Sequence, residues 1–214
     1  MNFKEGWKKF WHLLWKDDSL KGWIFSIIFL VIFFKFIFLP GLGLLTGTSL
    51  PLAIVESCSM YHDGNIFNNF NGWWEQHETK YSNYNITKEE FKNFIFRQGF
   101  SKGDILFIVK AKPEKLKVGD IILFVTGTSS TPVIHRIISI KNIDGEYSFN
   151  TIGDNNNGVL IPGNNPGGVD ERNIKEEQLV GKAVGRIVPY VGWGKLIFYE
   201  YSKPKQERGL CQEN

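Results

Sequence analysis

The chain has 214 residues and a formal net charge of +3, with 43% hydrophobic and 22% charged residues. That length holds one domain of ordinary size beyond any membrane segment, and the near-balanced charge offers no basic face of the kind nucleic-acid binders concentrate, so nucleic acid is set aside as a partner. Its two cysteines, Cys58 and Cys211, are too few for the disulfide framework of a small secreted domain and assign no redox compartment.

Taken in chain order, residues 1–22 interleave Lys4, Lys8, Lys9, Lys16 and Lys21 with Trp7, Phe10, Trp11, Leu14 and Trp15. The near-helical spacing suits an amphipathic cytoplasmic segment lying in the bilayer interface, with partner binding as the alternative; His12, within it, is given no chemistry. From Trp23 to Leu39 the run is apolar apart from Ser26 and Lys35, and the residues beyond Pro40 extend it toward bilayer length. A transmembrane anchor over 23–45 is expected rather than a cleaved signal peptide, whose apolar region would be shorter and followed by small residues. Lys35 lies near the exit end, where its stem can snorkel to the headgroups. No Lys or Arg follows the span until Lys80, and this asymmetry puts the N-terminus in the cytoplasm and the rest outside the cell membrane, as a single-pass protein.

An extracytoplasmic domain is expected over 50–198, interrupted by an Asn- and aromatic-rich insertion at 61–100, with a disordered polar tail at 199–214. Inside the insertion, Thr87 and Glu90 form a capping box and Gly99 is a C-cap, which predicts one short helix whose Phe91, Phe94 and Ile95 face the core or a lipid surface. Asn85-Ile86-Thr87 fits a glycosylation sequon, a pattern that also arises by chance. Beyond Gly99, β-branched and aromatic runs at 104–109, 120–125, 133–140, 147–152 and 180–188 alternate with Gly/Asp/Pro turns, predicting a mostly antiparallel β-domain. Asp104 and Asp120 read as turn residues. The segment 155–168 reads as a mobile loop, and 188–198 is apolar but too short and Gly-rich to cross a bilayer.

Between the span and the insertion stand Ser57, Cys58 and Ser59. A serine hydroxyl needs a neighbouring base to act as a nucleophile, and the histidines available are His12, His62, His77 and His135. His12 falls on the cytoplasmic side and His77 in the hydrophilic insertion. His135 sits in Val133–Arg136, where alternation sends Val133 and His135 to one strand face; periodicity alone leaves it between a structural histidine and a base, at a strand start beside a turn. Cys58 reads as a space-filler between the serines, with a second nucleophile as the alternative. No zinc-type ligand spacing and no phosphate loop are present, so catalysis without a cofactor or metal is expected.

Ser57-Cys58-Ser59-Met60 resembles the Ser-x-Ser-Met box of type I signal peptidases. Gly119–Phe124 resembles the strand before the base, His135-Arg136 the base box, Gly153-Asp154-Asn155 the Gly-Asp-Asn box, and Gly181–Gly185 with Pro189–Gly192 the closing strand. The boxes come in the family's order and span about residues 20 to 200. Bacterial-type members have lysine at the base, so the resemblance is to the archaeal and endoplasmic-reticulum branch. It implies a mainly β, antiparallel signal-peptidase-like catalytic domain with an N-terminal transmembrane helix and a small helical insertion. It also implies Ser59 as nucleophile, His135 as general base, and Ser57 with the Ser59 N–H as oxyanion donors. Relatives carry a second Asp about six residues past the Gly-Asp-Asn aspartate, where this chain has Leu160; Asp170 is the expected acid, Glu171 its rival and Asp154 a supporting acid. His62 replaces the family's usual proline and reads as a spectator or part of the pocket rim. The implied substrates are signal-peptide-bearing preproteins, with accessory membrane subunits as possible partners. A narrow-substrate processing peptidase and a non-catalytic tethered β-domain are the alternatives.

Overall fold

The computed structural model describes residues 2–64, 69–126, 129–165, 168–205 and 208–212, the side chains of 129 and 130 excepted. Parts of the expected insertion, loop and tail, at 65–68, 166–167, 206–207 and 213–214, lie outside the described residues. The chain divides into two compact units, 1–49 and 50–214.

In the first unit α1 (Phe3–Trp15) and a long helix from Leu20 to Thr46 form a hairpin. Phe10 packs edge-on against Phe25 and Phe29, and the Ser26 hydroxyl donates to Leu14 C=O. Ser19 caps the long helix by accepting from Gly22 N–H, and Gly47, in the left-handed region at φ +70°, ends it. The helix is α over Leu20–Phe33 (α2) and Leu39–Thr46 (α3), with a π-turn over Phe34–Phe38. Pro40 has no N–H for the i−4 carbonyl, and the wider turn before it accommodates that loss. At 27 residues it is about 40 Å long, enough to cross a bilayer.

The second unit is built on a seven-stranded antiparallel sheet in the order β1-β2-β7-β3-β4-β5-β6. The strands are β1 (Leu52–Ile54), β2 (Ile105–Val109), β3 (Ile121–Thr126), β4 (Ser129–Ile143), β5 (Glu146–Ile152), β6 (Ile174–Lys175) and β7 (Leu179–Val188). Ile121 and Leu123 of β3 enter one core with Leu106, Ile108 and Ala183, while Ile122 and Phe124 enter another with Ile137, Phe149 and Ile174. Period-two alternation thus feeds two clusters, which is why β3 reads as an unbroken apolar run.

The insertion packs its own aromatic core onto the sheet. α4 (Phe70–Ser82), a helix the sequence reading did not expect, and α5 (Lys88–Lys92), started by the Thr87–Glu90 capping box, bury Phe70, Trp73, Trp74, Tyr81 and Phe91 against Ile138 and Ile152. At the neck of the insertion, Phe100 N–H donates to Met60 C=O (3.0 Å).

The tail departs from the expected disorder. After α6 (Trp193–Leu196) and a 3₁₀ turn at Glu200–Ser202, Glu200 is buried and pairs with Lys102 at 2.7 Å, Lys203 Nζ reaches Glu56 C=O at 2.6 Å, and Cys211 is disulfide-bonded to Cys58. Cys58 is therefore a covalent partner of the tail rather than a spacer. Within the described part of the expected loop Asn165 is held, not free: its side chain accepts from Val169 N–H and donates to the carbonyls of Val169 and Ile161.

Candidate active site

β1 delivers the chain to the serine turn. Val55 N–H donates to Asp104 C=O and Gly103 N–H to Val55 C=O, after which Tyr61 N–H closes the turn on Cys58 C=O. Ser59 stands within it, partly accessible, and its Oγ is 3.2 Å from Ser57 Oγ.

His135 lies in the interior of β4, opposite Ile122 of β3, rather than at a strand start. It is 3% exposed, and its Nε2 lies 2.8 Å from Ser59 Oγ. Its Nδ1 is hydrogen-bonded to Glu171 Oε1. A carboxylate accepts and does not donate, so the shared proton sits on Nδ1 and the Nε2 lone pair faces the serine hydroxyl. That is the tautomer a general base needs.

Glu171 is fully buried and its other valences are filled: Thr151 Oγ1 donates to Oε1 (3.0 Å) and Leu160 N–H to Oε2 (2.7 Å). Its main chain is also fixed, Thr151 N–H donating to Glu171 C=O and Glu171 N–H to Leu160 C=O. The acid therefore arrives beside Leu160, the position at which the resemblance expects an acid, but from eleven residues further along the chain. Asp170 is not brought to His135. It points outward and accepts from Arg172 N–H, Nε and Nη2, and this pairing holds its carboxyl below the ordinary range.

Asp154 is also fully buried but belongs to a different network. It accepts from Arg136 Nε (2.9 Å) and Nη2 (2.6 Å), from Tyr81 OH (2.8 Å) and from His62 Nε2 (2.8 Å). Burial alone would raise its pKa; the Arg136 charge and the His62 and Arg136 hydrogen bonds outweigh it and hold the carboxyl well below the usual range. His62, read as a spectator, is 1% exposed and stacked on Trp73 at 3.6 Å. Burial lowers its pKa to about 4 despite Asp154, so it is neutral and donates through Nε2. Burial and the neighbouring Asp154 charge push the Tyr81 hydroxyl well up. Arg136 spends its remaining donors on the carbonyls of Ile95, Gly119 and Phe96, and its guanidinium lies 4.6 Å from the centre of the Phe91 ring.

The Gly153–Asn156 turn joins the two networks. Asn155 N–H donates to Ser59 C=O (2.8 Å) and its Nδ2 to Cys58 C=O (3.1 Å). Glycine at 153 is required by proximity, since a Cβ there would stand 2.9 Å from His135 Nε2. Thr151 and the Leu160 N–H were missed by the sequence reading. Val169, Asp170, Glu171 and Arg172 alternate buried, half-buried, buried and exposed, so the period set by Val169 and Arg172 was the available signal that Glu171 faces inward. Among the described residues no group of three or more His, Cys, Asp or Glu side chains could hold a metal ion.

Comparison with known proteins finds catalytic subunits of signal peptidase complexes. The chain is 31% identical over 115 residues to the human signal peptidase complex catalytic subunit SEC11C, covering 50% of this chain and 54% of the relative. It is 31% identical over 111 residues to the signal peptidase complex catalytic subunit sec11 of Dictyostelium discoideum, covering 50% and 57%. To the putative human subunit SEC11B the identity is 29% over 109 residues, covering 50% and 63%. The chain thus spans little more than half the length of these relatives. No family model matches it.

Proposed function

We propose that the chain is a membrane-anchored serine endopeptidase that removes signal peptides from exported proteins. The observation that carries this reading is the continuous hydrogen-bonded line from Ser59 Oγ through His135 to Glu171. Similarity to catalytic subunits of signal peptidase complexes supports it.

In the proposed reaction Ser59 Oγ attacks the carbonyl carbon of the scissile bond while His135 Nε2 takes its proton. Glu171 holds the imidazole in the required tautomer and stabilises the imidazolium that forms. Ser57 Oγ and the Ser59 N–H stabilise the oxyanion, and loss of one such donor costs about 2.7–4 kcal/mol of transition-state stabilisation. The imidazolium then protonates the leaving amine, leaving an acyl-Ser59. Water, deprotonated by His135, attacks the acyl carbonyl and releases the free serine.

Two observations support an extracytoplasmic site. Lysines crowd the residues before the long helix and are absent for decades after it, and the Cys58–Cys211 disulfide suits an oxidising compartment. The relatives' description as parts of a complex favours accessory membrane subunits as partners. A narrower substrate range is a second reading, favoured by the insertion whose aromatic core packs on Ile138 and Ile152 of the sheet.

The test is cleavage of a preprotein carrying Ala at the small-residue positions before the cut, in liposomes. Wild type should cleave, while Ser59→Ala and His135→Ala, folded by circular dichroism, should not. Retained cleavage in either variant refutes the assignment. A panel of unrelated signal peptides separates broad from narrow specificity, because the narrow enzyme should leave most of them intact.

A further inference from the structure

The Gly153–Asn156 turn is gripped from both sides. On one side, Lys80 in the last turn of α4 donates from Nζ to Asp154 C=O (2.6 Å) and Asn156 C=O (2.9 Å). On the other, Asn155 donates to the carbonyls of Ser59 and Cys58. These contacts share peptide units. Asp154 C=O and Asn155 N–H belong to one peptide group, so a cation on the carbonyl polarises the N–H that holds Ser59. Cys58 C=O and Ser59 N–H belong to another, so the Asn155 amide on that carbonyl makes the Ser59 N–H a stronger donor.

We infer that Lys80, supplied by the 61–100 insertion, is a positioning residue for the oxyanion-binding peptide of Ser59. The inference rests on the peptidase reading above. Lys80 acts through Asn155: it fixes the turn from which the Asn155 N–H holds the Ser59 carbonyl and the Asn155 side chain holds the Cys58 carbonyl, and so it positions the Cys58–Ser59 peptide whose N–H serves the developing oxyanion. α4 itself is seated by Trp73, Trp74 and Tyr81, whose hydroxyl bonds Asp154 next to the carbonyl that Lys80 takes. The insertion thereby has a catalytic consequence without contributing a catalytic residue. Its effect belongs to the transition state, where charge appears on the substrate oxygen, and leaves ground-state binding alone.

The experiment is steady-state cleavage of the same preprotein in liposomes by full-length wild type, Ser59→Ala, Lys80→Met, Lys80→Gln and Lys80→Arg, each with a thermal melt. Lys80→Met should lower kcat about tenfold, less than the 10²–10³ lost with a donor itself, at unchanged KM. Lys80→Gln should fall between, and Lys80→Arg should restore most of kcat. Wild-type kcat in Lys80→Met, or an effect confined to KM, overturns the inference. If Lys80→Met fails to melt cooperatively, the order of kcat decides: wild type and Arg above Gln supports the inference, and equality overturns it. Inactive wild type or active Ser59→Ala would instead overturn the peptidase reading, so the two failures are distinguishable.

Discussion

Glu171 and Asp154 are both fully buried carboxylates within reach of a histidine, yet they sit in opposite electrostatic settings. Glu171 faces His135 with neutral donors for company, a hydroxyl and a backbone amide. Asp154 faces Arg136, a permanent cation, and His62 lies within a stacked aromatic core. A carboxylate whose only cationic partner can appear during a reaction is suited to stabilise that appearance. A carboxylate locked to arginine holds charge the reaction does not change, and is suited to fix structure. Both are carboxylates with the same burial; a permanent cation beside one and its absence beside the other separates the roles.

The sharpest way to break this comparison is to neutralise each acid isosterically. Glu171→Gln keeps the shape but presents a choice of donor or acceptor to His135 and so permits the wrong tautomer. Cleavage should fall about 10³- to 10⁴-fold in kcat with little change in the melt. Activity within a few-fold of wild type would remove Glu171 from the proposed triad. Asp154→Asn does the reverse: it leaves the Arg136 guanidinium buried without its counter-charge, a loss of about 3–5 kcal/mol. Urea denaturation should show the midpoint collapse, and an unchanged midpoint would mean that Arg136 is served by its carbonyl partners alone.

His62 gives a smaller effect with a defined sign. Its folded pKa, about 4, lies below the ordinary 6.5, so the unfolded chain takes up the proton first as pH falls. The stability is complete above about pH 6.5, declines between there and about pH 4, and levels off below. The whole loss is about 3 kcal/mol. His62→Gln keeps a donor toward Asp154 and removes the titration. Wild type should therefore lose more thermal stability than this variant between pH 7 and pH 5, and parallel curves would exclude His62 as the titrating group.

The β-architecture was legible because alternation and turn residues mark each strand locally: the runs read at 120–125 and 180–188 match β3 and β7 within a residue or two. The approach of Ser59, His135 and the Gly153 turn was legible only through the ordered boxes, since it depends on pairing across 76 residues. α4 escaped because Asn and Gly at its start mask the periodicity, and its helicity comes from the packing of Trp73, Trp74 and Tyr81. The tail escaped because its anchors, Glu200 on Lys102 and Cys211 on Cys58, are contacts between distant segments that no local pattern encodes.

The smallest expected effect bears on the residue that the sequence favoured. Asp170 and Glu171 are adjacent side-chain carboxyls, separated by which way the backbone turns them. Asp170 is paired on the surface with Arg172, an arrangement of the kind that contributes roughly 0–1 kcal/mol. Asp170→Asn should therefore leave kcat unchanged and shift stability by no more than about 0.5 kcal/mol. Set against Glu171→Gln in the same cleavage assay, the pair tests the register of one short stretch. If Asp170→Asn were the damaging change, the chain around residue 170 would have to be turned over by one residue, bringing Asp170 to His135 and sending Glu171 to solvent, because alternation moves both side chains together.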